Sequence, residues 1–261
     1  ALATLNAGVE AYNVALGYST GYSMTTGVRN TLIGAVAGDS ITSGSFNTVS
    51  GYASGDAITS GGYNCLYGYE TGFNLTTGTF NVAMGYGALK LEDTGHRSIA
   101  IGAAALGVQN SDTTNYNIGI GYEAGGAINT GVQNVIVGNL AAKALTTANK
   151  NIAIGHEALF TETTSAGNIA IGHQALKLQI AGGDKYNVGI GYNAGLQLTT
   201  GATNTMVGGF TGDALTTGAK NAVLGYNALS AATTGANNVA IGYSAMGSAV
   251  LSQLNVAVGS N

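Results

Sequence analysis

Proline and tryptophan are absent from this chain of 261 residues, cysteine occurs once, and only 8% of the residues are charged. Each scarcity excludes something. Without proline, and without glycine at every third position, a collagen triple helix is ruled out. A lone Cys65 allows no internal disulfide and says nothing of the redox compartment. It stands in a column otherwise filled by Val, Ile or Thr, with Ala222 the one other departure, so an inert packed thiol is expected. The eight basic residues are scattered singly and the net charge is −4, which argues against a duplex nucleic-acid binder. No apolar run approaches the ~18 residues of a membrane-spanning helix, and the N-terminus lacks the basic and apolar regions of a signal peptide, so no membrane insertion is expected. No Ser/His/Asp or Cys/His constellation stands out, and Gly61-Gly62 has neither the lysine nor the strand-helix context of a phosphate loop. Neither an enzyme nor a cofactor is expected.

What is abundant is glycine, with 43 residues in a chain that is 45% apolar. High hydrophobicity with little charge is the reverse of a disordered composition. The glycines follow a repeat. Near copies of Asn238-Val239-Ala240-Ile241-Gly242 begin at Asn13, Asn30, Asn47, Asn64, Asn81, Ser98, Asn117, Asn134, Asn151, Asn168, Asn187, Asn204, Asn221, Asn238 and Asn255. These 15 copies are 17 residues apart, except for two intervals of 19, from Ser98 to Asn117 and from Asn168 to Asn187. So strict a period specifies a stacked architecture. No shift in composition interrupts it, so 13–261 is expected to be one continuous repeat domain after a poorly matching start at 1–12. With no initiating Met and a last motif that stops partway through a repeat, the chain reads as a segment of something longer.

With the Asn taken as position 0, position +1 is mostly β-branched (Val14, Ile99, Val239) and +3 mostly aliphatic (Leu16, Ile101, Ile241). In a strand these two point to one side, which predicts a core stripe. Position +4 is Gly in all 15 copies, as suits a corner with positive φ or a close backbone approach. The Asn at position 0, missing only at Ser98, tolerates a left-handed turn, and its amide can donate and accept along the stack. A residue present in nearly every repeat is a scaffold column. In the second half of the repeat, +7 is mostly Ala, +8 alternates between Gly and Leu, +11 is apolar (Met24, Ile41, Leu75), and a corner such as Thr25-Thr26-Gly27 follows. Two short extended segments joined by two corners are predicted per repeat. The prediction is an all-β parallel solenoid or β-roll of about 15 coils, about 4.8 Å apart, in a rod roughly 70 Å long. The two longer units are expected to bulge at the Thr corner and keep their strands in register.

Position +2 carries the expected self-association. It is apolar throughout, with Ala15, Ala83, Ala100, Ala153, Ala170, Ala240 and Ala257 among its members. Opposite the +1 and +3 stripe, it predicts a strip of small apolar residues along the coil, and strands apolar on both faces are buried on both. A homotrimer whose axis is lined by this column is expected.

Ser98-Ile99-Ala100-Ile101-Gly102 followed by Ala105, and Asn238-Val239-Ala240-Ile241-Gly242 followed by Ala245, resemble the head repeats of YadA-like trimeric autotransporter adhesins. The longer run from Asn221 to Asn238 also resembles repeats of phage and marine-virus tail fibres. The resemblance spans residues 13 to 259, with a longer period than in YadA-like heads. It implies a left-handed parallel β-roll, three of which assemble around an axis, in a fibre on a virion or a bacterial cell surface. The function so implied is structural: a segment that extends and presents an attachment apparatus. Neighbouring fibre segments would be its partners, and a host-surface glycan or receptor its outside contact.

A few residues invite chemistry. His156 and His173 share position +5 on adjacent coils beside Glu157, but +5 is usually Tyr and a metal site needs three or four ligands, so part of an aromatic ladder is expected and no metal. Asp39 and Asp56 stack at +9 and are expected to be solvated carboxylates. Phe46, Tyr63 and Phe80 at the corners offer a secondary stacking surface for sugars. Thr columns at +12 (Thr25, Thr42, Thr59) and +13 (Thr26, Thr77, Thr94) motivate an alternative, an ice-binding solenoid, of which only one column could face ice.

Overall fold

The computed structural model describes residues 1–6, 10–180, 182–250 and 253–260. Its two compact units, Ala1–Val132 and Gln133–Asn261, are each a parallel β-solenoid with one three-residue strand per coil. The first holds β1 (Val14–Leu16), β2 (Thr31–Ile33), β3 (Thr48–Ser50), β4 (Cys65–Tyr67), β5 (Val82–Met84), β6 (Ile99–Ile101) and β7 (Ile118–Ile120). The second holds β8 (Val135–Val137), β9 (Ile152–Ile154), β10 (Ile169–Ile171), β11 (Val188–Ile190), β12 (Thr205–Val207), β13 (Ala222–Leu224), β14 (Val239–Ile241) and β15 (Val256–Val258). Within each unit strand order follows chain order, and every pair stays in the register of the repeat, Val82 opposite Ile99 for example. The longer units obey it too. Ile99 faces Ile118 and Ile169 faces Val188, each 19 residues on.

The invariant Gly at +4 has two physical causes. Its φ lies between 117° and 141°, and a Cβ at Gly17, Gly34 or Gly102 would come under 3.0 Å from the carbonyl of the matching Gly on the next coil. The Asn column lies inside the coil. The Asn30 backbone N–H donates to Asn13 Oδ1 at 2.8 Å, and Asn30 Nδ2 donates to the Gly44 carbonyl at 2.9 Å, tying the end of its own coil to the start. The same pair of bonds recurs at Asn47, Asn204 and Asn221. Ser98 has no amide, and Gln109 supplies one: its Nε2 donates to Ser98 Oγ at 2.8 Å and its Oε1 accepts from Asn117 Nδ2 at 2.8 Å.

Two expectations are corrected here. The strand faces are reversed: Ala83, Ala100, Ala153, Ala170 and Ala240 of the +2 column are wholly buried in their own coil, and only Ala15 and Ala257, in the terminal coils, are half-buried. The +1 and +3 residues point outward, half-buried or exposed, so Cys65 is an exposed free thiol and not a packed one. The second half of the repeat is also not a strand. It runs through tight turns with left-handed residues at +6 (Ser19, Val36, Glu70) and +8 (Gly21, Leu89, Leu106), which turn the chain too sharply for extended pairing.

The +8 side chains meet the +2 column inside the core, and the two share a fixed space. Leu32, Val49 and Leu66 at +2 go with Gly38, Gly55 and Gly72 at +8, while Ala83, Ala100, Ala153 and Ala170 go with Leu89, Leu106, Leu159 and Leu176. Where both are Gly, as at Gly119 with Gly125, the preceding coil fills the gap: a Cβ on Gly119 would lie 2.8 Å from Leu106 Cγ. A close-packed interior favours one large side chain per layer, although Val223 and Leu229 are buried together in theirs.

Candidate interaction surfaces

Four carboxylate or amide side chains replace the apolar residue at +11: Glu92, Gln109, Glu162 and Gln179, all fully buried. A buried Glu is a reasonable place to look for catalysis, but the backbone explains these two. In an ordinary coil the amides of +12, +13 and +14 converge on one carbonyl of the next coil, as Thr25, Thr26 and Gly27 do on Thr42 O at 2.9, 3.0 and 3.2 Å. The coil after Glu162 is one of the two that carry extra residues. Glu162 Oε1 takes the three amides instead, from Thr163, Thr164 and Ser165 at 2.8, 3.0 and 2.9 Å. Its Oε2 accepts from Gln179 Nε2 at 3.0 Å. In the first unit Glu92 Oε1 accepts from the Gly95 amide at 2.7 Å and Asp93 Oδ1 from Thr94, while Gln109 and Asn115 donate to Glu92 Oε2 at 2.9 Å. These carboxylates accept amides that an ordinary coil gives to a backbone carbonyl.

Two ladders lie at the coil corners. At +5, Tyr52, Tyr69 and Tyr86 stack at 5.3 and 5.5 Å between ring centroids. In the second unit His156 and His173 stack at 5.4 Å, as their shared position predicts, and His173 stacks on Tyr192 at 4.9 Å. Position +5 is then Gly209, and Phe210 from +6 swings into the gap, 5.2 Å from Tyr192 and 5.8 Å from Tyr226. Glu157 beside this ladder is bonded by Lys177 Nζ and Gln174 Nε2, both at 2.7 Å, which together hold its carboxyl below the usual range. Among the described residues no three or more His, Cys, Asp or Glu side chains are grouped to hold a metal ion.

The second ladder occupies the corner just before the Asn, position −1, in the first unit. Phe46, Tyr63 and Phe80 stack face to face at 4.6 and 4.9 Å, nearly parallel. Their faces are covered by one another, so the sugar-stacking role expected of them is closed off and only ring edges look outward. Sequence reasoning had the rings but missed the guanidinium groups that extend the stack, Arg29 over Phe46 at 5.3 Å and Arg97 between Phe80 and Tyr116 at 5.6 and 5.7 Å. The signal was available, since Arg29 and Arg97 occupy the same repeat position as the rings.

Asp39 and Asp56 are half-buried and not freely solvated. Burial, and then the neighbouring Asp39 charge, push the Asp56 carboxyl above its usual range. The +12 threonines spend their hydroxyls on the stack: Thr25, Thr42 and Thr199 Oγ1 donate to carbonyls of the next coil at 3.1 Å. The +13 column, with Thr26, Thr77 and Thr217, is exposed, as are Thr25 and Thr42 of the +12 column, while Thr76 and Thr199 are half-buried. The strand face completes the surface, with Ile33, Met84, Leu224 and Ile241 exposed and Ile101, Ile154 and Ile171 half-buried. No family model matches the chain, and neither a curated protein nor a solved structure matches it.

Proposed function

We propose that this chain is a structural segment of a surface fibre, belonging to a phage or viral tail fibre or to a bacterial trimeric adhesin, that extends and presents an attachment apparatus. The observation that carries the reading is the outward +1 and +3 face. Residues of the other recurring columns serve the coil itself, in its core, its corners or its Asn bonds, whereas this face sets Val, Ile, Leu and Met side chains toward solvent along each unit. Strands apolar on both faces are normally covered on both, and a long apolar surface marks an interaction site. In this reading three copies associate through the +1 and +3 columns, in place of the alanine column, and the fibre stands outside the cell or on the virion. Position +12 spends its hydroxyls within the stack, which leaves the ice-binding alternative with the +13 column alone.

The test is sedimentation of the purified chain together with an Ile154→Asp/Ile171→Asp variant. A trimer that the paired substitution converts to a folded monomer is expected. A stable monomer for the unsubstituted chain would refute the reading, and thermal hysteresis in the same sample would favour ice binding.

A further inference from the structure

We infer that the corner ladder Arg29–Phe46–Tyr63–Phe80–Arg97–Tyr116 is a binding ridge for an acidic polysaccharide, one carrying carboxylate or sulfate groups on an extended sugar chain. The inference does not depend on the fibre reading.

It starts from backbone conformation. All six residues have positive φ, between 51° and 63°. Every coil has positive φ at this position, Tyr12, Lys150 and Leu254 included, so the conformation belongs to the corner, and what distinguishes the ridge is the choice of side chains placed there. At the same position the second unit holds Gln133, Lys150, Gly167, Tyr186, Thr203, Lys220, Asn237 and Leu254, and with Tyr186 the one aromatic among them no run of rings forms there.

The chemistry of the ridge follows from what stacking leaves free. A guanidinium held over an aromatic ring keeps N–H donors to spare, a rigid fork that matches a carboxylate or sulfate. Arg97 is clamped between two rings, with one N–H to the Tyr116 hydroxyl at 3.3 Å. Arg29 is stacked on one. Neither is paired with a carboxylate among the described residues. They are the only two arginines of the chain, and both lie in this one column. Ring edges, the positive part of the aromatic quadrupole, face outward between them, with Phe46, Tyr63 and Phe80 about half exposed.

The geometry selects the partner. The two forks are four coils apart, roughly 19 Å at about 4.8 Å per coil. A nucleic-acid strand would stack its bases on ring faces, which are occupied here, and two cations give few phosphate contacts. A lipid surface would need apolar groups to insert, and the ridge presents ring edges and the Tyr63 hydroxyl. Widely spaced anions joined by hydroxyl-bearing rings match a guanidinium at each end with a tyrosine between.

Surface plasmon resonance of the intact chain over immobilised heparin at low salt tests this. Saturable binding that falls as salt rises is expected, weakened at least tenfold by Arg29→Gln/Arg97→Gln and nearly as much by Arg29→Lys/Arg97→Lys, because lysine has no fork. Lys150→Gln/Lys220→Gln removes the same charge from the same column in the second unit and is expected to change nothing. The substituted side chains lie at exposed corners, and an unchanged melting temperature confirms folding. Absence of binding, an equal loss with Lys150→Gln/Lys220→Gln, or equal binding to anionic vesicles or to DNA would each overturn the inference. Since the readout is taken on the chain whatever its assembly state, it can fail while the trimer stands, and the reverse.

Discussion

The two expanded corners solve one problem with different parts. Both follow a buried Glu and both insert their extra residues after a buried Gln. At Glu162 the repair is made to backbone, three consecutive amides on one oxygen. At Glu92 the work is shared, with Asp93 taking Thr94 and the side chains of Gln109 and Asn115 filling the other oxygen. Side chains can turn to other partners when an acceptor is lost, whereas backbone amides are fixed by the coil. A buried carboxyl group is tolerated here because its oxygens satisfy N–H donors beside a two-residue insertion.

Removing each carboxylate is the most severe way to break that comparison. Glu162→Ala takes the acceptor from three backbone amides, that of Ser165 buried and those of Thr163 and Thr164 partly so, and is expected to cost about 2–4 kcal/mol. Glu92→Ala is expected to cost distinctly less, read from urea midpoints, and equal losses would show that the two corners are not built differently. A milder comparison swaps one core layer for another. Ala153→Leu overpacks against Leu159 and is expected to cost about 1–3 kcal/mol. Adding Leu159→Gly should restore most of that, because the pair then copies Leu32 with Gly38. No restoration would mean that +2 and +8 do not share space.

The smallest effect contrasts carboxylates across the units as pH changes. Asp56 is pushed above its ordinary 3.8 by burial and by Asp39, so its contribution favours folding at low pH and is lost as pH rises through the raised pKa. Glu157 is held below its ordinary 4.5 by Lys177 and Gln174, so its contribution is present above 4.5 and is lost as pH falls through the lowered pKa. Asp56→Asn is therefore expected to raise the melting temperature slightly at pH 7 and not at pH 3. Glu157→Gln is expected to lower it slightly at pH 7, with the difference fading in acid. Shifts of the same sign at pH 7 would contradict both assignments.

Much of this was legible before any coordinates. The recurrence of Asn-x-x-x-Gly located every strand, and the 19-residue intervals kept their register because the insertions fell in a corner. His156 stacks on His173 because a shared position in a stacked repeat is a shared place in space. The buried Glu and Gln at +11 were not recognised, although both pairs immediately precede or occupy a longer repeat. The role of Glu162 depends on which amides its carboxylate reaches in three dimensions, and that leaves no mark in the sequence. The corner rings were noticed, but their faces are spent on each other, which only their spacing of 4.6 to 4.9 Å reveals.

By itself the sequence determined the period, the strand positions, the parallel register, the Gly corner and the Asn column, since each depends on recurrence alone. Which strand face lies inside was decided by the tertiary structure. Alternation sets +2 apart from +1 and +3, but when both sets are apolar the pattern is symmetric and has no inside. The left-handed turns at +6 and +8 broke that symmetry by folding Leu89 and its equivalents back over the +2 side, where the two columns share one close-packed space.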